Sequence, residues 1–292
     1  MQCDTCRKRA VIFQRYSGRH LCREHFLRDF EGRAKKIVRF NGGFSRGDHI
    51  AIACPGDHRG FSLLNFLATL TAGRRGIMLS IIPPENCSYG SGLTAPEPAA
   101  ATLLGIPALE GLVTDRHGHI GCPKQGKGGV AATENESSCE PLPERRLQAE
   151  GITVVATAVS LDDEAATILA AFLEGEPFRF LSPQGPAGSG IRFIRPFLHI
   201  PGREVALYAR LGFGLKGASQ NVYAEDPVSM EIRDLLDRYS SKHPSAPFSL
   251  VNLGERLHGA ETGTGTGDAP ARDRGEGAPA KRHYRKGQTN HR

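Results

Sequence analysis

Nowhere in this chain does an apolar run approach the roughly 18 residues that a membrane-spanning helix needs. Its first residues, MQCDTCRKRA, lack the charged cap and apolar stretch of a secretory signal. A cytoplasmic protein with no membrane partner is the expectation. No repeat of solenoid length is visible either, which argues against a stacked-repeat architecture. Hydrophobic residues make up 39%, an ordinary share for a globular protein, and 292 residues can bury a full core in one large domain or two modest ones.

Acidic residues are scarce at one end. Between Met1 and His49 twelve Lys and Arg stand against five Asp and Glu, so this stretch carries +7 and the remainder, for a total of +6, is close to neutral at −1. A basic end on a near-neutral body suits a polyanionic partner, because phosphates attract Lys and Arg whatever the sequence of the nucleic acid. A solvated basic helix would look the same on charge alone.

Cysteine is thin over most of the chain, yet three of the seven fall within the first 22 residues. Without a secretion signal, such clustering reads as metal ligation rather than a disulfide framework. Cys3-x2-Cys6-x15-Cys22-x2-His25 supplies four donors in two close pairs, the pattern of a closed tetrahedral site. With all four positions filled by protein, the expected ion is a structural Zn²⁺ that holds a module over residues 1–27 too small to build its own core. Three free thiols and a surface His form the plainer alternative.

Periodicity places a helix after this module, with Phe26, Phe30, Ala34, Ile37 and Val38 recurring at helical spacing. HIAIA (49–53) reads as a buried strand, FSLLNFLATL as a helix ending at Gly73, and GIMLSII as a second strand stopped by Pro83 and Pro84. Strand, helix, strand in that order predicts a βαβ unit and a parallel sheet. Residues 84–150 are rich in Gly, Pro, Ser and Ala and predict loops, with one short helix near Ala99 to Leu104. Order returns with the strand ITVVATA, the helix LDDEAATILAAFLEG with acids in its first turn, and the strand IRFIRP. Pro201 and Pro227 each open a further helix, the second in a C-terminal helical segment over 216–258. From 259 onward the chain is charged, low in complexity and predicted to be disordered.

The loop after the first long strand, Gly56-Asp57-His58-Arg59-Gly60 following Pro55, lies where a helix N-terminus offers N–H groups to phosphate. One glycine admits close approach and Arg59 could pair with an anion, but the loop holds no Lys or Ser and Asp57 would repel one. A plain strand-to-helix turn explains it equally well. Cys54, just before, is either a reactive thiolate near a helix end that could carry sulfur or a small core residue. Asp162 and Asp163 could hold Mg²⁺ at the sheet's carboxyl edge, or could cap their helix.

Together these segments resemble the TtuA-type tRNA 2-thiouridine synthetases and the cytoplasmic tRNA thiolation subunit 1 proteins of the PP-loop ATP pyrophosphatase superfamily. The resemblance lies in CDTCRKRAVIFQRYSGRHLCREHF, GDHIAIACPGDHRGFSLLNFL, VVATAVSLDDEAATILAAFLEGE (against that family's ATGHNLDDEAQTIL), RPFLHIPGREVALYA and MEIRDLLDRYSSKHP, over roughly 1–82 and 148–258. It implies an adenine-nucleotide α-hydrolase (HUP, PP-loop) α/β domain over 28–215, an N-terminal zinc finger and C-terminal helices. The implied chemistry is adenylation of a tRNA uridine by ATP–Mg²⁺ at Gly56 to Gly60, supported by Asp162 and Asp163, followed by sulfur replacing the activated oxygen.

The chain departs from the family where that chemistry sits. SGGKDS of the PP-loop is matched by Pro55, Gly56, Asp57, His58, Arg59 and Gly60, and GHN by Ala158, Val159 and Ser160. The CxxC corresponds to Glu136-x2-Cys139, and the third cluster cysteine to Asn221, so a [4Fe–4S] cluster is not expected. The C-terminal zinc finger is absent. The expectation is a tRNA-binding thiolation protein with ATP-dependent adenylation reduced or lost, partnered by a sulfur-carrier protein or an active thiolase homologue, with a homodimer left open. An active sulfurtransferase with a variant loop is the rival, and a Cys54 sulfur relay the third choice.

Overall fold

The computed structural model describes residues 1–54, 57–83, 105–109, 112–114, 120–121, 143–175, 190–213 and 227–261. The chain opens with an antiparallel hairpin, β1 (Ile12–Gln14) and β2 (Arg19–Leu21), that pairs Phe13 with His20. Its turn passes through Gly18 at φ 69°, a left-handed conformation that glycine adopts without steric cost. The helix α1 (Arg23–Phe40) follows at once and buries Phe26, Phe30, Ala34 and Val38, a four-residue spacing that keeps one face inward.

β3 (His49–Ala53) and β4 (Met78–Ile82) are joined by α2 (His58–Thr71). A two-residue ladder, β5 (Val113–Thr114) with β6 (Ile120–Gly121), and α3 (Pro143–Ala149) precede β7 (Val154–Thr157). α4 (Leu161–Leu173) leads to β8 (Arg192–Ile194), and three helices close the chain: α5 (Gly202–Phe213), α6 (Pro227–Lys242) and α7 (Ala246–Glu261).

β4, β3, β7 and β8 form one parallel sheet in that order. β3 and β7 are buried along nearly their whole length, as strands of a sheet covered on both faces must be. One face packs with α1, α2 and α5, where Phe30, Ile50, Leu67, Phe197 and Tyr208 share a core. The opposite face packs Ala51, Ile82 and Val155 against Leu109, Leu112 and Leu147. A separate cluster of Leu161, Ile168, Ile232, Leu236 and Val251 joins α4 to α6 and α7. Among the described residues no helix is long and apolar enough to cross a membrane.

Because β4 and β7 lie on opposite sides of β3, the strand order reverses at the β3–β7 junction. Ligands of open α/β sheets gather there, outside the carboxyl ends of the strands. α2 and α4 both start at this edge, which brings the segments beginning at Asp57 and Ser160 together.

The long strands and helices fall where periodicity predicted them. The short helix near Ala99 to Leu104 lies outside the described residues, and β5, β6 and α3 lie in a stretch for which loops were predicted. The last helix also continues to Glu261, past position 259, where a tail was expected to begin; Phe248, Leu250 and Val251 anchor it against α4.

Candidate functional site

Among the described residues, two places in the fold gather chemistry-bearing side chains. The first is the N-terminal module, where β1 and β2 bring Cys3 and Cys6 of the first turn beside Cys22 and His25 at the start of α1. One ligand atom from each of the four lies within 4.8 Å of all the others. Cys3 Sγ to His25 Nδ1 is 3.5 Å, Cys6 Sγ to Cys22 Sγ 3.5 Å and Cys22 Sγ to His25 Nδ1 3.3 Å. Donors at about 2.3 Å from one tetrahedral ion stand about 3.8 Å apart, so the set is spaced to close around a single metal.

The protonation chemistry agrees with this geometry. Burial raises the Cys3 thiol, but hydrogen bonds from the backbone of Cys22, Thr5 and Cys6 outweigh it and bring it down to about 6. A backbone bond from Lys8 favours the Cys6 thiolate, yet burial and the neighbouring Cys22 and Cys3 sulfurs raise it overall. Crowded thiols that disfavour one another's ionisation are relieved by a cation among them.

The second place is the carboxyl edge of the sheet. Pro55 and Gly56 lie outside the described residues, and the loop expected to hold nucleotide is seen from Asp57 onward. Asp57 is the N-cap of α2, and its carboxylate accepts hydrogen bonds from the Arg59 N–H at 2.8 Å and the Gly60 N–H at 3.3 Å. The Arg59 guanidinium pairs with Asp57 at 2.6 Å and with Asp163 at 2.9 Å. Arg233 of α6 completes the line, 2.9 Å from the other Asp163 oxygen. Burial opposes the Asp163 charge, but Arg59 and then Arg233 hold its carboxyl well below the usual carboxylate range.

Asp163 also closes a capping box: Ser160 accepts from the Asp163 N–H, while the Ser160 N–H donates to the Asp163 carboxylate at 3.1 Å. Asp162 faces the other way and accepts the Gly202 N–H of α5 at 2.6 Å. Burial raises its carboxyl. Gly202 is tight against Asp162 and Ser160, where a Cβ would lie 3.1 Å from Asp162 Oδ2 and 3.3 Å from Ser160 Oγ. Both acids therefore hold helix starts together, where capping alone needed only one.

A cleft of about 470 Å³ opens over these groups, lined by His58, Arg59, Asp162, Asp163 and Arg233 and walled by Arg15 and Tyr16 of the hairpin. Tyr16 packs on Phe248 of α7 with ring centroids 5.0 Å apart. Among the described residues, His58 Nδ1 and Ser240 Oγ are buried in its walls without a hydrogen-bond partner, and burial lowers the pKa of the His58 imidazole. Cys54, in contrast, is fully buried in the core at the end of β3, without the access that a sulfur carrier needs.

Arg233, Arg15 and Tyr16 escaped sequence reasoning. Nothing local marks them, since their roles arise only when α6 and the hairpin fold over the sheet edge. Glu204 is similar: it is fully buried between Arg33 of α1 and Gln14 of β1 and ties the module to α5. Glu136, Cys139 and Asn221, the positions matched to cluster cysteines, lie outside the described residues.

A parallel α/β sheet with its site at the strand-order reversal, carrying a Cys₃His metal module over that site, defines the class. The family described as 2-thiouridine synthetase TtuA, N-terminal LIM domain, matches residues 2–27. The chain is 28% identical to the tRNA-5-methyluridine(54) 2-sulfurtransferase of Thermus thermophilus over 72% of this chain and 66% of that one. It is 25% identical to tRNA 2-thiolation protein NcsA of Haloferax volcanii over 88% and 87%, and 27% identical to cytoplasmic tRNA 2-thiolation protein 1 of Bos taurus over 89% and 79%. Its fold matches the U34-tRNA thiolase NcsA from Methanococcus maripaludis with a TM-score of 0.68 at 21% identity, over 88% of this chain and 87% of that one. The chain thus resembles the TtuA/NcsA tRNA 2-thiolation proteins in its N-terminal module, in sequence over most of its length, and in fold.

One expectation is corrected here. An iron–sulfur cluster was not expected, but the Methanococcus structure contains its [4Fe-4S] cluster, and the N-terminal module of this chain gathers three thiols of the kind that ligate iron. Two cysteines missing at the matched positions do not remove the three thiols that this module gathers.

Proposed function

We propose that this protein binds tRNA and serves tRNA thiolation, with its ATP-dependent adenylation reduced or lost. The observation that carries the tRNA reading is a cationic stripe on α1. Arg28, Lys35 and Arg39 are spaced by seven and four residues, which aligns them along the helix face opposite Phe26, Phe30 and Ala34. Arg28 and Arg39 are exposed, and Lys35 is engaged with Glu31 at 2.9 Å. Lys36 is exposed but turned off this line. A helix so charged, fixed to a metal module beside a cleft, suits the phosphates of a folded RNA.

The Cys3, Cys6, Cys22 and His25 set holds the metal that shapes this module. The cleft at the sheet edge receives the RNA segment, with His58 and Ser240 in its walls. A cytoplasmic setting, as in the name of the Bos taurus relative, and a sulfur-carrier or thiolase partner accompany this reading.

The test is tRNA binding by the double variant R28E/R39E. The reading expects affinity to fall by roughly tenfold or more at moderate salt, and the slope of log affinity against log salt to lessen by about 2, one for each lost phosphate contact. An unchanged affinity and slope would remove α1 from the RNA surface.

A further inference from the structure

The phosphate position of the nucleotide loop is filled by the protein itself. In a strand-loop-helix phosphate site, the free N–H groups of the first helical turn and a nearby cation receive the anion. On α2 the Arg59 and Gly60 N–H groups already donate to the Asp57 carboxylate, at 2.8 and 3.3 Å. The nearby cation, Arg59, is divided between Asp57 and Asp163, and Asp163 also faces Arg233. Asp57, Arg59, Asp163 and Arg233 thus alternate in sign and sum to zero. Asp57 and Arg59 are almost entirely buried, at 2% and 8% exposure, so the carboxylate is a fixed part of the wall.

We infer that the Asp57 carboxylate stands in for a bound phosphate and, together with Arg59, closes this loop to ATP, so that the single side chain at position 57 keeps the site shut. This inference deepens the reading of reduced adenylation and rests on it. A phosphate entering here would have to compete with a carboxylate already attached to the chain, and it would meet no net positive charge. Removing Asp57 changes both terms at once. Two N–H donors at the α2 N-terminus are freed, and the remaining set of Arg59, Asp163 and Arg233 carries one net positive charge. Arg59 keeps Asp163 as a partner, so it is not left buried and alone.

The experiment follows thermal unfolding of the full chain in rising concentrations of pyrophosphate and of ATP–Mg²⁺. A ligand that binds the native state raises the midpoint by mass action. The wild-type chain is expected to show no rise at millimolar ligand, and D57G a rise that grows with concentration, larger than that of D57S. Serine at the same position still caps the helix while removing the charge, so D57S keeps the test available if D57G folds poorly, and a weaker rise is expected there. A folded D57G or D57S that gains no response to either anion overturns the inference while leaving the reduced-adenylation reading intact. A rise with ATP–Mg²⁺ in the wild-type chain overturns both.

Discussion

The Asp163 carboxylate serves the capping box of α4 and two guanidiniums from different helices. It is buried, so replacing it takes one carboxylate partner from each of Arg59 and Arg233. Breaking a buried pair from one side costs about 3 kcal/mol or more. D163N is therefore expected to lose about that much stability in urea unfolding at neutral pH. Because the folded carboxyl titrates below its ordinary 3.8, its contribution is complete above that value and is lost as pH falls from 3.8 toward the lower folded value. The gap between wild type and D163N should accordingly narrow in acid below pH 3.8 and hold constant above it. A gap that stayed the same at acid pH would show that the charge of Asp163 is not what the variant loses.

At the scale of elements, α1 shows why a small metal module can be rigid. The helix is capped by Cys22, carries His25 in its first turn and runs unbroken into the main core, where Phe30 stacks on Tyr208 at 4.1 Å and meets Phe197 at 5.2 Å. The module thus borrows a hydrophobic core from the sheet body. Phe30→Ala is expected to destabilise the whole chain by about 3–5 kcal/mol, read as one cooperative shift in chemical denaturation. An independent early transition of the module, with the body unchanged, would contradict this.

α1 was legible in the sequence because its four-residue apolar spacing is strong, and β3, β4 and β7 because buried parallel strands read as short apolar runs. β1, β2, β5 and β6 are two or three residues each, and pairing at that length depends on what the segment packs against rather than on local pattern. α7 falls within the helical segment expected over 216–258 but had no bounds of its own there, for a related reason. Gly254 and the polar residues around it blur its period, and only contact with α4 makes the helix pay.

The candidate site divides in the same way. The four metal donors could be read from spacing because two turns of two ligands each are local features. The meaning of Asp57 could not be. An aspartate in that loop is expected to repel phosphate, but the Asp163 and Arg233 that extend its pair with Arg59 lie over 100 residues away in sequence, and only the fold shows that the four form one neutral line.

For the whole molecule, the metal module, α1 and the sheet edge form a continuous arrangement. Tyr16 rests on Phe248, Arg15 reaches the Ser241 carbonyl at 3.4 Å, and Arg23 donates to the Leu211 carbonyl at 2.8 Å. The hairpin beside the Cys3, Cys6, Cys22 and His25 set is therefore a wall of the cleft, and the cationic stripe of α1 extends from it. Metal analysis of the purified chain should find an ion bound at Cys3, Cys6, Cys22 and His25, and C22S should lower that content. Zinc content and the visible absorption of iron–sulfur centres tell which metal the Cys3, Cys6, Cys22 and His25 set holds.

The most direct measurement is tRNA affinity of one preparation before and after chelation of its metal, with folding followed in parallel. If a metal-shaped, cationic module on a tRNA 2-thiolation fold makes the RNA surface, stripping the metal lowers tRNA affinity sharply, and returning it restores binding. Equal affinity with and without metal, in a chain that stays folded, would contradict the account.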